Sequence, residues 1–201
     1  MDVNTYIESY FDGVVKIAET IDKKSIERAV NILLEIKESR GRLFILGIGG
    51  SAANASHAVN DFRKLVGIES YTPTDNVSEL TARINDDGWE TVFVNWLMGS
   101  RLNSRDGIII ISVGGGSEEK NISVNIVSAL KYAKETGAKI IGLVGRDGGY
   151  TAKAADAAVI IPVISPDTVT PLTEAYHAVV WHLLVSHPVL KAAQGKWESV
   201  K

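Results

Sequence analysis

His57 and Asp61 stand four residues apart in the run Gly47-Ile-Gly-Gly-Ser-Ala-Ala-Asn-Ala-Ser-His57-Ala-Val-Asn-Asp61. On a helix that spacing sets an imidazole and a carboxylate on one face, where they can share a metal ion or a proton. A second set lies near the carboxyl end: Glu174, His177 and His182. Glu174 and His177, at i,i+3, have a spacing found on metal-binding helices. Glu174 and His182 are about 12 Å apart along a helix axis, so one ion reaches both only if the side chains lean together. Spacing alone leaves His177 and His182 as alternative ligands. His187, just before Pro188, reads as a helix-end residue.

Two glycine turns could hold an anion. Gly47-Ile-Gly-Gly-Ser51 and Ser112-Val-Gly-Gly-Gly-Ser117 each follow an apolar run and precede a helical pattern. Bare N–H groups and the positive end of the helix dipole favour an oxyanion there, and Gly115 with its neighbours lets the backbone come close. Ser51, Ser112 and Ser117 add hydroxyls. Neither turn is a P-loop, because no Gly-Lys-Ser/Thr follows, and Gly47-x-Gly49 lacks a third glycine at 52. Glu118 and Glu119 stand at the start of the second predicted helix and could satisfy its dipole themselves. Arg83–Gly88 reads as a helix end with a glycine stop, and Gly145–Gly149 as a tight turn.

The elements that position these residues alternate. Helical stripes run over 3–20 and 25–39, strand Leu43–Leu46 follows, then helix 51–65, an extended Glu69–Thr72, a polar helix from Ser78 and another over 89–98. Strand 106–113, helix 118–135, strands 139–144 and 157–163 and helix 170–186 complete the pattern. The strands are continuous Ile/Val/Leu runs, as expected of strands buried on both faces. The fold class is therefore α/β, a mainly parallel sheet between helical layers. The leading stripe carries Tyr6, Tyr10 and Phe11 and is wider than a small sheet needs, so it fits either a packed hairpin or an oligomer interface.

Composition narrows the function classes. The 201 residues suit one α/β domain with a sizeable core. A net charge of −3 gives no electrostatic case for nucleic acid or anionic membrane. With no cysteine, disulfides and thiolate metal sites are excluded, and a cytoplasmic location is expected. The opening Met1–Tyr6 lacks the features of a signal peptide, and the apolar runs are too short to cross a bilayer.

Taken in order, Gly47-x-Gly-Gly-Ser51 with His57 and an acid at 61, Asn85-Asp86, the Ser112–Ser117 loop, Gly145-x-Asp-Gly-Gly149, and a last helix with Glu174 and His182 resemble the phosphoheptose isomerases of the SIS (sugar isomerase) superfamily. The resemblance covers about residues 40–187. It implies a flavodoxin-like three-layer sandwich with a five-stranded parallel sheet in a single SIS domain over 1–201. Within it, residues 1–40 form oligomerising helices, 41–187 the core and 188–201 a tail without a recognised counterpart. It also implies a homotetramer with sites at subunit interfaces, and a divalent metal, usually zinc. The implied reaction is aldose–ketose isomerisation of a sugar phosphate, sedoheptulose 7-phosphate to D-glycero-D-manno-heptose 7-phosphate, by proton transfer between C1 and C2.

Carried over by position, His57, Asp61, Glu174 and His182 match metal ligands, with Asp61, Glu174 and His182 also catalytic. Ser51, Ser112, Ser117 and Gly115 match the phosphate cradle, and Asp86 an active-site aspartate. The chain departs from the pattern in several places, as a divergent member would. Asp61 is a methylene shorter than the family's glutamate, and Glu174 replaces a glutamine. Val113 and Gly114 replace hydroxyl residues, Ile48 an asparagine and Pro171 an aspartate. Two other classes share the resemblance. One is a non-catalytic SIS protein of the DnaA initiator-associating type, against which the retained His57, Asp61, Glu174 and His182 argue. The other is a sugar-phosphate-sensing module, for which 201 residues leave no room beside a DNA-binding domain.

Overall fold

The computed structural model describes residues 2–200. Two helices lead the chain, α1 (Val3–Thr20) and α2 (Lys23–Glu38), and each is started by an aspartate whose side chain accepts a backbone N–H, Asp2 from Thr5 and Asp22 from Lys24. The stripe Ile26, Ala29, Val30, Leu33 and Ile36 turns α2 inward onto the sheet. Helix α1 buries only Gly13 and Ile17 and leaves Tyr6, Ile7 and Phe11 exposed.

Strand β1 (Leu43–Gly47) feeds α3 (Gly50–Asp61), and the chain returns through β2 (Ser70–Tyr71) to α4 (Val77–Asp87) and α5 (Val92–Gly99). Then follow β3 (Gly107–Ser112), α6 (Val124–Thr136), β4 (Lys139–Val144), α7 (Gly149–Ala154), β5 (Ala157–Ile160), α8 (Val169–Ser186) and a last turn, α9 (Lys196–Ser199). The five strands form one sheet in the order β2-β1-β3-β4-β5, parallel throughout. Helices α2, α3 and α8 bury one face through Leu33, Ala58, Trp181 and Leu184, while α5 and α6 bury the other through Phe93, Leu97, Ile126 and Leu130. The chain winds one way from β1 to β2 and the other way from β3 to β4. The carboxyl ends of β1 and β3, with Gly47 opposite Ile111, therefore flank the crevice where such sheets bind ligands.

Several boundaries differ from the sequence pattern, and three of them bear on the site or have a clear local cause. The helix expected over 51–65 ends at Asp61 and widens into a π-helical turn, Phe62–Val66, closed by Gly67 at φ 78°. The helix expected from 118 begins at Val124, because Asn121 and Ser123 adopt left-handed conformations that break a helical start. The last strand stops at Ile160 rather than 163, since Pro162 has no N–H for a ladder. Among the described residues no helix is long and apolar enough to cross a membrane.

Candidate active site

Helices α3 and α8 run side by side in the same direction, and the contacts between them order the site along their length. At the amino end of α3, Glu174 lies against Gly50 and its carbonyl oxygen accepts from Asn54 Nδ2 at 3.2 Å. One turn on, Asn54 Oδ1 accepts from Trp181 Nε1 at 3.1 Å. At the carboxyl end, His57, Asp61 and His182 bring one donor atom each within 4.8 Å of one another.

This trio comes from the i,i+4 pair on α3 and one residue across on α8. Asp61 Oδ2 lies 3.8 Å from His57 Nε2 and 4.0 Å from His182 Nε2. Tetrahedral zinc with bonds of about 2.1 Å sets its ligand atoms roughly 3.4 Å apart, so a small inward movement would close the three around one ion. His182 Nδ1 sits 2.8 Å from the Ala178 carbonyl oxygen, which assigns the proton to Nδ1 and leaves the Nε2 lone pair facing Asp61. Asp61 Oδ1 accepts from Asn60 Nδ2 at 2.8 Å, leaving Oδ2 for the shared centre. The carboxylate is 14% exposed while the histidines are half exposed, so the trio opens to solvent on one side. Three protein ligands with an open fourth position is the pattern of a metal that does chemistry rather than one that only holds the fold.

Trp181 is the residue that spacing did not reveal. It is 1% exposed, stacks under His182 with ring centroids 3.5 Å apart, and meets His57 edge-on at 4.6 Å. Its indole is thus a floor that fixes both imidazoles, while its N–H reaches Asn54. Among aromatics in an apolar helix stripe it carries no signal of its own.

Glu174 is not in the trio. The two-turn separation from His182 is kept, and its carboxylate rests where a Cβ on residue 50 would be, 2.5–2.6 Å away. An acid there complements the positive end of α3. His177 is not in the trio either. It is fully buried with both ring nitrogens unpartnered, and burial lowers its pKa to about 4, so it is neutral at ordinary pH.

The second glycine turn is folded tightly on α7. The Gly115 carbonyl oxygen accepts from Thr151 N at 2.9 Å and Thr151 Oγ1 at 2.7 Å, and Gly115 has φ +70°. Ser112 Oγ accepts from Gly115 N at 3.0 Å, and Ser117 Oγ from Lys120 N at 3.2 Å. Each hydroxyl keeps its hydrogen for an anion. Ser117 and Ile122 exchange backbone hydrogen bonds, so Ser117 lies in a small hairpin ahead of α6 rather than on its first turn. Glu118 turns away and pairs with Lys131 at 2.6 Å. Ser51 is buried on the first turn of α3, whereas Asp86 is exposed on α4 and accepts from Asn85 Nδ2.

Comparisons with known proteins bear on the chain as a whole. Residues 6–145 match the family model of the SIS domain. The chain is 32% identical over 167 residues to a phosphoheptose isomerase of Helicobacter pylori (strain P12), covering 81% of each chain. It is 30% identical over 209 residues to that of Aneurinibacillus thermoaerophilus, covering 99% of this chain and all of the relative. Among solved structures, phosphoheptose isomerase GmhA from Neisseria gonorrhoeae superposes with a TM-score of 0.77 at 27% identity, over 92% of this chain and 97% of that one.

Proposed function

The chain belongs to the phosphoheptose isomerase family of SIS-domain proteins, and we propose that it interconverts an aldose and a ketose sugar phosphate, with sedoheptulose 7-phosphate as the substrate. The observation that carries this reading is the convergence of His57, Asp61 and His182 on one point beside an open face.

His57, Asp61 and His182 would hold a divalent metal, zinc by their donor types. Bound there, it would polarise the sugar carbonyl and stabilise the oxyanion of the enediol. Asp61 is the group that carries the proton between C1 and C2: Oδ2 faces the metal, and Oδ1, which accepts one hydrogen bond from Asn60, keeps a second lone pair for the proton. His182 holds its proton on the Ala178 side and is oriented by Trp181, so it binds rather than shuttles. Glu174 supports α3 from its amino end and stays clear of the reacting carbons.

The phosphate belongs in the crevice at the carboxyl ends of β1 and β3, on Ser51, Ser112, Gly115 and Ser117, with Asp86 approaching only through a neighbouring subunit. The exposed apolar stripe of α1 supports a homotetramer that brings such neighbours together. A site of this kind accounts for the retained trio better than a scaffold would.

The test is a discontinuous assay with purified, zinc-supplemented protein and sedoheptulose 7-phosphate. The aldose product should form, and the Asp61→Asn variant should be slower by about a hundred- to ten-thousandfold. Absence of product from the wild-type protein would overturn the proposal.

A further inference from the structure

Beyond the trio, on the side away from Gly50 and Ser51, lies a cavity of about 740 Å³. Asp61 and His182 form one end of it. Lys64, Lys191, Lys196 and Trp197 form much of the rest. None of the three lysines has a carboxylate within 4.0 Å among the described residues.

The lysines are gathered by a specific piece of backbone. The π-helical turn Phe62–Val66 ends helix α3 and leaves the Leu65 carbonyl without a helical partner. That oxygen accepts from Ala192 N at 2.7 Å and Ala193 N at 3.1 Å. Leu190, just ahead, is fully buried, and its carbonyl accepts from Lys37 Nζ at 2.6 Å. The tail is thereby fastened at residues 190–193, and the next residues are laid across the mouth of the cavity. Glu198 also lines it, but its carboxylate folds back onto Gly195, 2.1 Å from where a Cβ there would stand. Trp197 is 83% exposed beside the opening, an apolar surface with nothing of this chain upon it.

We propose that the tail, docked on the π-helical turn, builds a second anion subsite beside the trio. It takes a phosphate-type group on Lys64, Lys191 and Lys196. A compact dianion suits this wall, since three flexible ammonium groups can converge on it while the carboxylate of Asp61 lies at the far end, beside His57 and His182. The group has two possible sources, the phosphate of a sugar phosphate held here instead of on the serine cradle, or an independent phosphate-bearing ligand. The link to the sugar rests on the isomerase reading given above. The affinity for phosphate does not.

The test uses inorganic phosphate in calorimetric titrations of three proteins: wild type, Ser117→Ala, and a triple variant Lys64→Gln, Lys191→Gln, Lys196→Gln. Each exposed charge lost should weaken this binding about two- to fivefold, and the triple variant about tenfold or more. Ser117→Ala should leave it intact. A truncated chain ending at Gln194, which keeps the anchored residues 190–193 and loses only Lys196 of the three lysines, should bind phosphate about two- to fivefold more weakly. Phosphate inhibition that competes with the sugar, with KM raised and kcat held in the triple variant, assigns the subsite to the substrate. Non-competitive inhibition with KM unchanged assigns it to a separate ligand. Titrations of the triple variant and the truncated chain that match wild type would overturn the subsite, whether or not any isomerase activity is found.

Discussion

His182 turns its two ring nitrogens to different tasks: Nδ1 sits 2.8 Å from the Ala178 carbonyl oxygen, and Nε2 stands 4.0 Å from Asp61 Oδ2. A backbone partner one helical turn back thus fixes the tautomer that a metal ligand needs. With His57 and one carboxylate, such a centre around a divalent cation carries a net positive charge. That suits it to an oxyanion that forms as the sugar carbonyl becomes an enediol.

The first prediction concerns that centre. Protein purified without chelators should hold about one equivalent of zinc per chain, and the His57→Ala, His182→Ala double variant should hold almost none. Zinc at a hundred times its dissociation constant should stabilise wild type against unfolding by about 2.7 kcal/mol and leave the double variant unmoved. Elemental analysis and thermal melts with and without zinc check both.

Glu174 separates the geometry from the resemblance. Because its carboxylate rests on Gly50, Glu174→Gln should keep the wild-type metal content. A loss of zinc equal to that of His57→Ala, measured by the same elemental analysis, would place Glu174 at the metal instead.

His177 gives a pH dependence with a definite sign. Its pKa falls from 6.5 to about 4 on burial, so the folded protein disfavours the proton that the unfolded chain accepts. The neutral group's contribution is complete above about pH 6.5 and is lost as pH falls through 6.5 toward 4, at most about 3 kcal/mol. A His177→Met variant should lose less stability than wild type over that interval, in denaturant titrations at stepped pH. Parallel stability curves for the two proteins would contradict this.

Gly115 is predicted to be irreplaceable. At φ +70°, with the Gly148 carbonyl oxygen 1.9 Å from an added Cβ, alanine there must displace the loop from α7. Gly115→Ala should cost about 1–3 kcal/mol of stability and weaken sugar-phosphate binding together. Equal melting temperature and equal affinity would remove this loop from the site.

How far the sequence could be read varies along the site. His57 and Asp61 were legible because helix periodicity alone places them on one face. The alternating apolar runs likewise give the parallel sheet. His182 entered only through family resemblance, since local spacing allowed His177 equally; tertiary packing sets His182 beside Asp61 and buries His177. The 12 Å separation of Glu174 and His182, plain from a rise of about 1.5 Å per residue, already held the reason Glu174 lies elsewhere. The start of α6 was not legible: Ser117-Glu-Glu-Lys fits a helix cap, and only the left-handed Asn121 and Ser123 and the bridge to Ile122 undo it. Trp181 was hidden for another reason, since an indole in an apolar stripe looks the same whether it fills the core or floors two imidazoles.

The central claim is that Asp61, at the centre of the trio, moves a proton between C1 and C2 of a sugar phosphate. Sedoheptulose 7-phosphate incubated with zinc-supplemented protein in deuterated water, followed by proton and carbon NMR, tests it most directly. Aldose should form with solvent deuterium appearing at the exchanging carbon, and both should fall by about a hundredfold or more in Asp61→Asn. Conversion and exchange at wild-type rate in that variant, or neither in the wild-type protein, would contradict it.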